Sequence, residues 1–77
     1  MHDSRGFVYF RKGDMTKAVA DYDAALSLQP RMAETLYKRG LAKNRKGDAV
    51  GGKSDIAAAL RLDAHAGDDM NEIGLRP

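Results

Sequence analysis

The chain carries two copies of one pattern, offset by 34 residues. Superposing the copies pairs Arg5 with Arg39, Gly6 with Gly40, and Arg11-Lys12-Gly13-Asp14 with Arg45-Lys46-Gly47-Asp48. Further along, Asp21 meets Asp55, Ala24-Ala25-Leu26 meets Ala58-Ala59-Leu60, and Leu28 meets Leu62. These are eleven identities between residues 3–30 and 37–64, where average composition gives about two. A fixed period of this size is made by stacking supersecondary units, each burying its apolar side on a neighbour. It turns the functional question toward binding and away from catalysis.

Each copy reads as two helices. The first runs over His2–Lys12 with Phe7, Val8, Tyr9 and Phe10, and Gly13-Asp14 then punctuates the chain. Glycine supplies the backbone freedom of a helix end, and Asp14 can accept hydrogen bonds from the free N–H groups that open the next helix. That helix, Met15–Leu28, sets Ala18, Tyr22, Ala25 and Leu26 on one stripe and stops before Pro30. The second copy predicts a helix over 33–45, the Gly47-Asp48 turn, and a helix over Ala49–Leu62 with the stripe Gly52, Ile56, Ala59 and Leu60. Gly51 and Gly52 each cost this last helix about 1 kcal/mol relative to Ala, which makes it the weakest of the four. A short closing helix is expected over 67–75, with Asp68 or Asp69 as its N-cap, Met70 and Ile73 on its apolar face and Pro77 after it. Its place is over the last helix pair, whose apolar side would otherwise be exposed.

On these residues the chain resembles the tetratricopeptide repeat family. The family pattern Trp-x2-Leu-Gly-x2-Tyr, Ala-x3-Phe and Pro is met in the first copy by Gly6, Tyr9, Ala18, Tyr22 and Pro30, with His2 and Arg5 in the Trp and Leu slots. In the second copy Leu36, Gly40, Gly52, Ile56 and Ala64 fall on its slots, while Arg39 and Lys43 replace the Leu and the Tyr. The resemblance implies an all-α fold of helix-turn-helix repeats stacked as a short right-handed α-solenoid, about five helices in all. It implies a single domain over 1–77, with repeats at 1–32 and 33–66 and the capping helix at 67–77. The small residues Gly6, Ala18, Gly40 and Gly52 then stand where paired helices approach, and Ala25 and Ala59 where one unit meets the next.

In the resembling family the first helices line a concave groove that holds a peptide or protein segment. Carried over residue by residue, that groove comprises Asp3, Phe7, Phe10 and Arg11 from the first unit. The second unit supplies Glu34, Tyr37, Lys38, Leu41, Asn44 and Arg45, and the closing helix adds Asn71. Aromatic anchors beside Arg and Lys are the composition of a protein-binding patch. The family's carboxylate-gripping Lys/Asn/Arg set is not reproduced, because its Asn positions carry Phe7 and Lys38. An acidic partner is consistent with Lys38, Arg39, Lys43, Arg45 and Lys46 crowding one segment, opposite an acidic C-terminal stretch of Asp63, Asp68, Asp69 and Glu72.

Composition narrows the rest. A net charge of +2 does not call for nucleic acid, and the absence of cysteine removes disulfides and thiolate metal sites. His2 and His65 have no partner at a metal-ligand spacing, and no cofactor is expected. No apolar run approaches the roughly 20 residues of a membrane span. Residues 1–20 lack the pattern of a secretory signal, so a soluble, cytoplasmic protein is expected if Met1 is the true start. Ser4, Ser27 and Ser54 have no base and orienting acid around them, and Asp21 and Asp23 face different ways on a helix.

One motif competes with the repeat. Gly47-Asp-Ala-Val-Gly-Gly-Lys-Ser54 fits the phosphate-cradling pattern G-x-x-x-x-G-K-[ST] letter for letter. That loop needs a buried strand before it, whereas Leu-Ala-Lys-Asn-Arg-Lys precedes Gly47 here. The repeat accounts for the same residues, since Gly47-Asp48 copies Gly13-Asp14 and Gly52 holds the small slot of Ala18. The sequence therefore favours a non-catalytic module that binds a protein or peptide, possessing no enzymatic site. A structural or self-associating terminal piece of a longer array is the alternative, and nucleotide binding through Gly47–Ser54 the remote one.

Overall fold

Two glycines with left-handed backbone set the turns inside the repeats. Gly13 has φ +86° and Gly47 φ +101°, a region that side chains with a Cβ rarely adopt. At the first turn the Gly13 N–H donates to Phe10 O at 3.1 Å and Asp14 N–H to Tyr9 O at 2.9 Å. At the second, Gly47 N–H donates to Asn44 O at 3.1 Å and Asp48 N–H to Lys43 O at 2.8 Å. Each following aspartate caps the next helix: Asp14 Oδ1 accepts from Lys17 N–H at 3.1 Å, and Asp48 Oδ1 from Gly51 N–H at 2.9 Å. The 34-residue echo is thus an echo of hydrogen bonds as well as of letters.

The computed structural model describes residues 2–67 and holds four α-helices there: α1 His2–Lys12, α2 Met15–Leu28, α3 Ala33–Lys46 and α4 Ala49–Leu62. All four fall where the sequence predicts them, with α3 one residue longer than expected. The closing helix expected over 67–75 lies outside the described residues, apart from Gly67. Helices α1 and α2 pack as one pair and α3 and α4 as the other, with α2 laid on α3 and α1 touching α3 at its edge. This is a helix-packed all-α repeat fold.

The stripe of α2 is the centre of the core. Tyr22 and Ala18 are completely buried, and Ala25 and Leu26 nearly so. Phe10, Leu36, Tyr37, Leu41, Ala42, Ala59 and Ala66 complete the cluster. Small residues govern how close the helices come. A Cβ added at Gly40 would lie 2.7 Å from Gly52 O, and one at Gly52 2.6 Å from Gly40 O, so α3 and α4 meet backbone to backbone. In the first pair the corresponding space is shared by Gly6 and the Tyr22 ring.

The stripe predicted for α4 needs one correction. Leu60 is 43% exposed, although its repeat counterpart Leu26 is only 7% exposed. The difference is positional: α2 is covered by α3, whereas α4 packs on α3 alone among the described helices. The same asymmetry appears at the other end, where Val8 is 49% exposed and its counterpart Ala42 is fully buried against the preceding pair.

Candidate protein-interaction face

Helices α1 and α3 are repeat equivalents and lie side by side, so their matching residues converge on one face. Phe7 and Phe10, one turn apart on α1, stack with centroids 6.3 Å apart and planes 18° from parallel. Three cations gather on them. Arg11 sits 5.8 Å from the Phe7 centroid, Lys38 of α3 5.2 Å from the same ring, and Arg45 of α3 4.7 Å from the Phe10 ring. Each is within the distance at which a cation is drawn to a ring face. The Lys38 and Arg45 pairs tie α3 to α1, and with Arg11 they hold three positive heads around the two rings.

The residues predicted for the groove divide on inspection. Arg11, Glu34 and Arg45 are exposed, and Phe7 and Lys38 are half-buried. Phe10, Tyr37 and Leu41 retain at most 4% of their exposure and belong to the core. For Phe10 the Arg45 guanidinium over the ring is one cover. Tyr37 is covered by the returning chain, since a Cβ on Gly67 would lie 2.5 Å from its ring. Asn44 turns toward α4, where its Oδ1 fills the gap left by Gly52. Of the expected aromatic anchors, Phe7 alone shows a face to solvent. The side chain of Asp3 and all of Asn71 lie outside what the structure describes.

Sequence reasoning passed over a set of ion pairs. Arg5 donates from Nε and Nη2 to Asp21 at 2.9 and 2.7 Å, and Arg39 from Nε and Nη2 to Asp55 at 2.8 and 3.0 Å. Both are fork-on-carboxylate pairs at the same repeat position. Arg39 also donates to Asp23 of α2 at 2.7 Å, and Lys43 Nζ lies 3.0 Å from Asp55 Oδ2. Burial pushes the Asp55 pKa up, but the hydrogen bonds from Arg39 and Lys43 outweigh it and hold the group below the usual carboxylate value. The Arg39 guanidinium is held above its usual value, chiefly by its hydrogen bond to Asp55. The available signal was in the repeat itself, because Arg5/Arg39 and Asp21/Asp55 are all among the echoed identities.

The phosphate-loop match loses its geometry. Helix α3, not a strand, leads into Gly47, and Gly52 lies within α4 against the Gly40 carbonyl. The Asp48 carboxylate already takes the Gly51 N–H that a phosphate would need. Among the described residues there is no group of three or more His, Cys, Asp or Glu that could hold a metal ion. No described helix is long and apolar enough to cross a membrane.

In a comparison with curated proteins, none matches the chain. The family model described as TPR repeat matches residues 6–47, more than half of the chain. That span takes in α2, α3, the turn between them, Gly6 and Gly40, and the ring and cation positions Phe7, Phe10, Arg11, Lys38 and Arg45. With the paired helices and the 34-residue geometry in agreement, the chain belongs to the tetratricopeptide repeat family.

Proposed function

We propose that the chain is a non-catalytic module that recruits an acidic peptide or protein segment onto the face shared by α1 and α3. The family assignment supports a protein-interaction role in general. The observation that carries the finer reading is the convergence of Arg11, Lys38 and Arg45 on the Phe7–Phe10 platform. Carboxylates of a bound segment would meet the cationic heads while its apolar atoms rest on Phe7. Glu34 is an exposed acid on α3 and would attract a basic ligand less strongly than the three cations repel it.

The test is fluorescence anisotropy with a labelled hexaglutamate peptide, with hexalysine as control. Reversing Lys38 and Arg45 to Glu is expected to weaken hexaglutamate binding by up to about thirtyfold, since each exposed pair contributes up to ~1 kcal/mol. Helicity by circular dichroism should stay unchanged. Equal affinity in wild type and double variant would refute the assignment.

A second reading has its own observation. Val8 and Leu60 are exposed at positions whose repeat counterparts Ala42 and Leu26 are covered by a neighbouring unit. Such faces suit a piece of a longer array, or one that self-associates end to end. Light scattering across a dilution series separates this from a self-sufficient monomer.

A further inference from the structure

We infer that Arg11 and Arg45 form a pair of carboxylate readers, one from each repeat, and that the preferred segment carries two acidic residues within about five residues of each other. The pairing rests on the reading of this face as an acidic-peptide site and gives that site its readers and a spacing rule.

The repeat places the two side chains. Arg11 and Arg45 are echo partners in the run Arg-Lys-Gly-Asp, in the last turns of α1 and α3. Both are exposed, and each leans on an aromatic ring of α1: Arg11 lies 5.8 Å from the Phe7 centroid and Arg45 4.7 Å from that of Phe10. The other echoed arginines are used differently. Arg5 and Arg39 fork onto Asp21 and Asp55 inside the stack. Among the described residues, Arg11 and Arg45 donate to no carboxylate, so their N–H groups remain available to a ligand.

A guanidinium offers more there than a charge. Its planar fork takes a carboxylate in two parallel hydrogen bonds, where a lysine supplies a point charge. The ring contact restricts the long side chain before a ligand arrives, which lowers the entropy lost on binding.

The rings also limit the spacing. With the Phe7 and Phe10 centroids 6.3 Å apart, the two guanidiniums are joined by three steps through the rings. They lie no farther apart than those steps laid end to end, a reach that five residues of extended chain, about 17 Å, cover in full. Two acids inside that window engage both arginines at once, and the second contact forms at the raised effective concentration of a tethered group.

Two anisotropy measurements test the pairing. The first uses the variant Arg11→Lys, Arg45→Lys, which keeps the net charge, with folding followed by circular dichroism. Its hexaglutamate affinity is expected to fall about threefold to tenfold. An unchanged affinity would mean that charge suffices; it would overturn the pairing and leave the acidic-peptide reading standing. The second needs no variant and compares two labelled Gly/Ser peptides on the wild-type chain, with two Glu either three or nine residues apart. The closer pair is expected to bind about fivefold more tightly, as effective concentration falls with the length between linked groups. Equal affinities overturn the pairing even where the lysine variant fails to fold. If neither peptide nor hexaglutamate binds the wild-type chain, the acidic-peptide reading falls and the pairing with it.

Discussion

Replacing Gly40 with Ala should damage the fold although alanine is the better helix former. Taken alone, the change gains about 1 kcal/mol of helix propensity. The new Cβ, however, would lie 2.7 Å from Gly52 O, 2.7 Å from Ile56 Cγ1 and 3.1 Å from Ile56 N. Two of these atoms are backbone and cannot rotate away. Ordinary carbon–oxygen contact requires α3 and α4 to part by several tenths of an ångström, which loosens Ile56 and Ala59 against α3. Overpacking of this kind costs about 3 kcal/mol at the upper end of its range, which leaves a net loss of about 2 kcal/mol after the propensity gain. For a domain of this size that lowers the melting temperature by about 8–16 °C. It is a large share of a total stability on the order of 4–12 kcal/mol. Gly51→Ala is the matched control on α4: its Cβ would meet the Asp48 carboxylate, the end of a side chain that can turn aside. That variant should be close to neutral, because the propensity gain of about 1 kcal/mol is offset by the cap of about 1 kcal/mol that Asp48 loses in turning aside. Urea and thermal unfolding followed by circular dichroism at 222 nm read both. A Gly40→Ala chain as stable as wild type would refute the backbone-contact reasoning.

Asp48→Ala removes the side-chain cap of α4 and should cost about 1 kcal/mol in urea unfolding, more than the same change at an uncapped surface aspartate. Because Asp55 has a folded pKa below its unfolded value, its contribution is present above the ordinary carboxylate range and disappears as pH falls through the folded value. Stability should therefore drop as pH falls below the ordinary carboxylate range, and by less in an Arg39→Met background, as urea midpoints across an acid pH series will show. Arg39→Met should cost about 2 kcal/mol of stability, since it leaves Asp55 buried with Lys43 alone, while hexaglutamate binding stays within twofold. Lys38→Met should do the reverse, weakening the probe severalfold with little change in melting; anisotropy and unfolding on the same two samples check the separation.

Helix positions, turns and caps were legible because each rests on local chemistry that the repeat displays twice. Gly13-Asp14 and Gly47-Asp48 need only their own backbone and the next turn to form. The stripe Ala18, Tyr22, Ala25 and Leu26 was likewise readable from spacing. What failed was the step from slot to exposure. Leu60 occupies the slot of Leu26, but slot identity cannot say whether another helix lies on top. Phe10, Tyr37 and Leu41 were read as groove residues by position, yet their covers come from Arg45, from Gly67 and from the core around Phe10, all distant in sequence. Asn44 turned inward for a related reason: Gly52 leaves a gap on the partner helix that only a three-dimensional view reveals.

In the second repeat Arg39 and Lys43 stand where the family places a Leu and a Tyr. The ion pairs account for both substitutions. Asp55 sits on α4 opposite both cations, and Asp23 on α2 meets the other side of Arg39, so the polar substitutions are matched across three helices. An apolar contact between units would be indifferent to which neighbour supplied it. A guanidinium shared between Asp55 within the repeat and Asp23 of the preceding pair demands one register. The same pairing sorts the basic segment into two tasks. Arg39 and Lys43 face the carboxylates inside the stack, whereas Lys38, Arg45 and Arg11 lie over the rings of α1. A run of cations that seemed to be one charged patch is two: an internal latch between repeats and an outward-facing platform, separated by the helical turn that puts residues 38 and 39 about 100° apart.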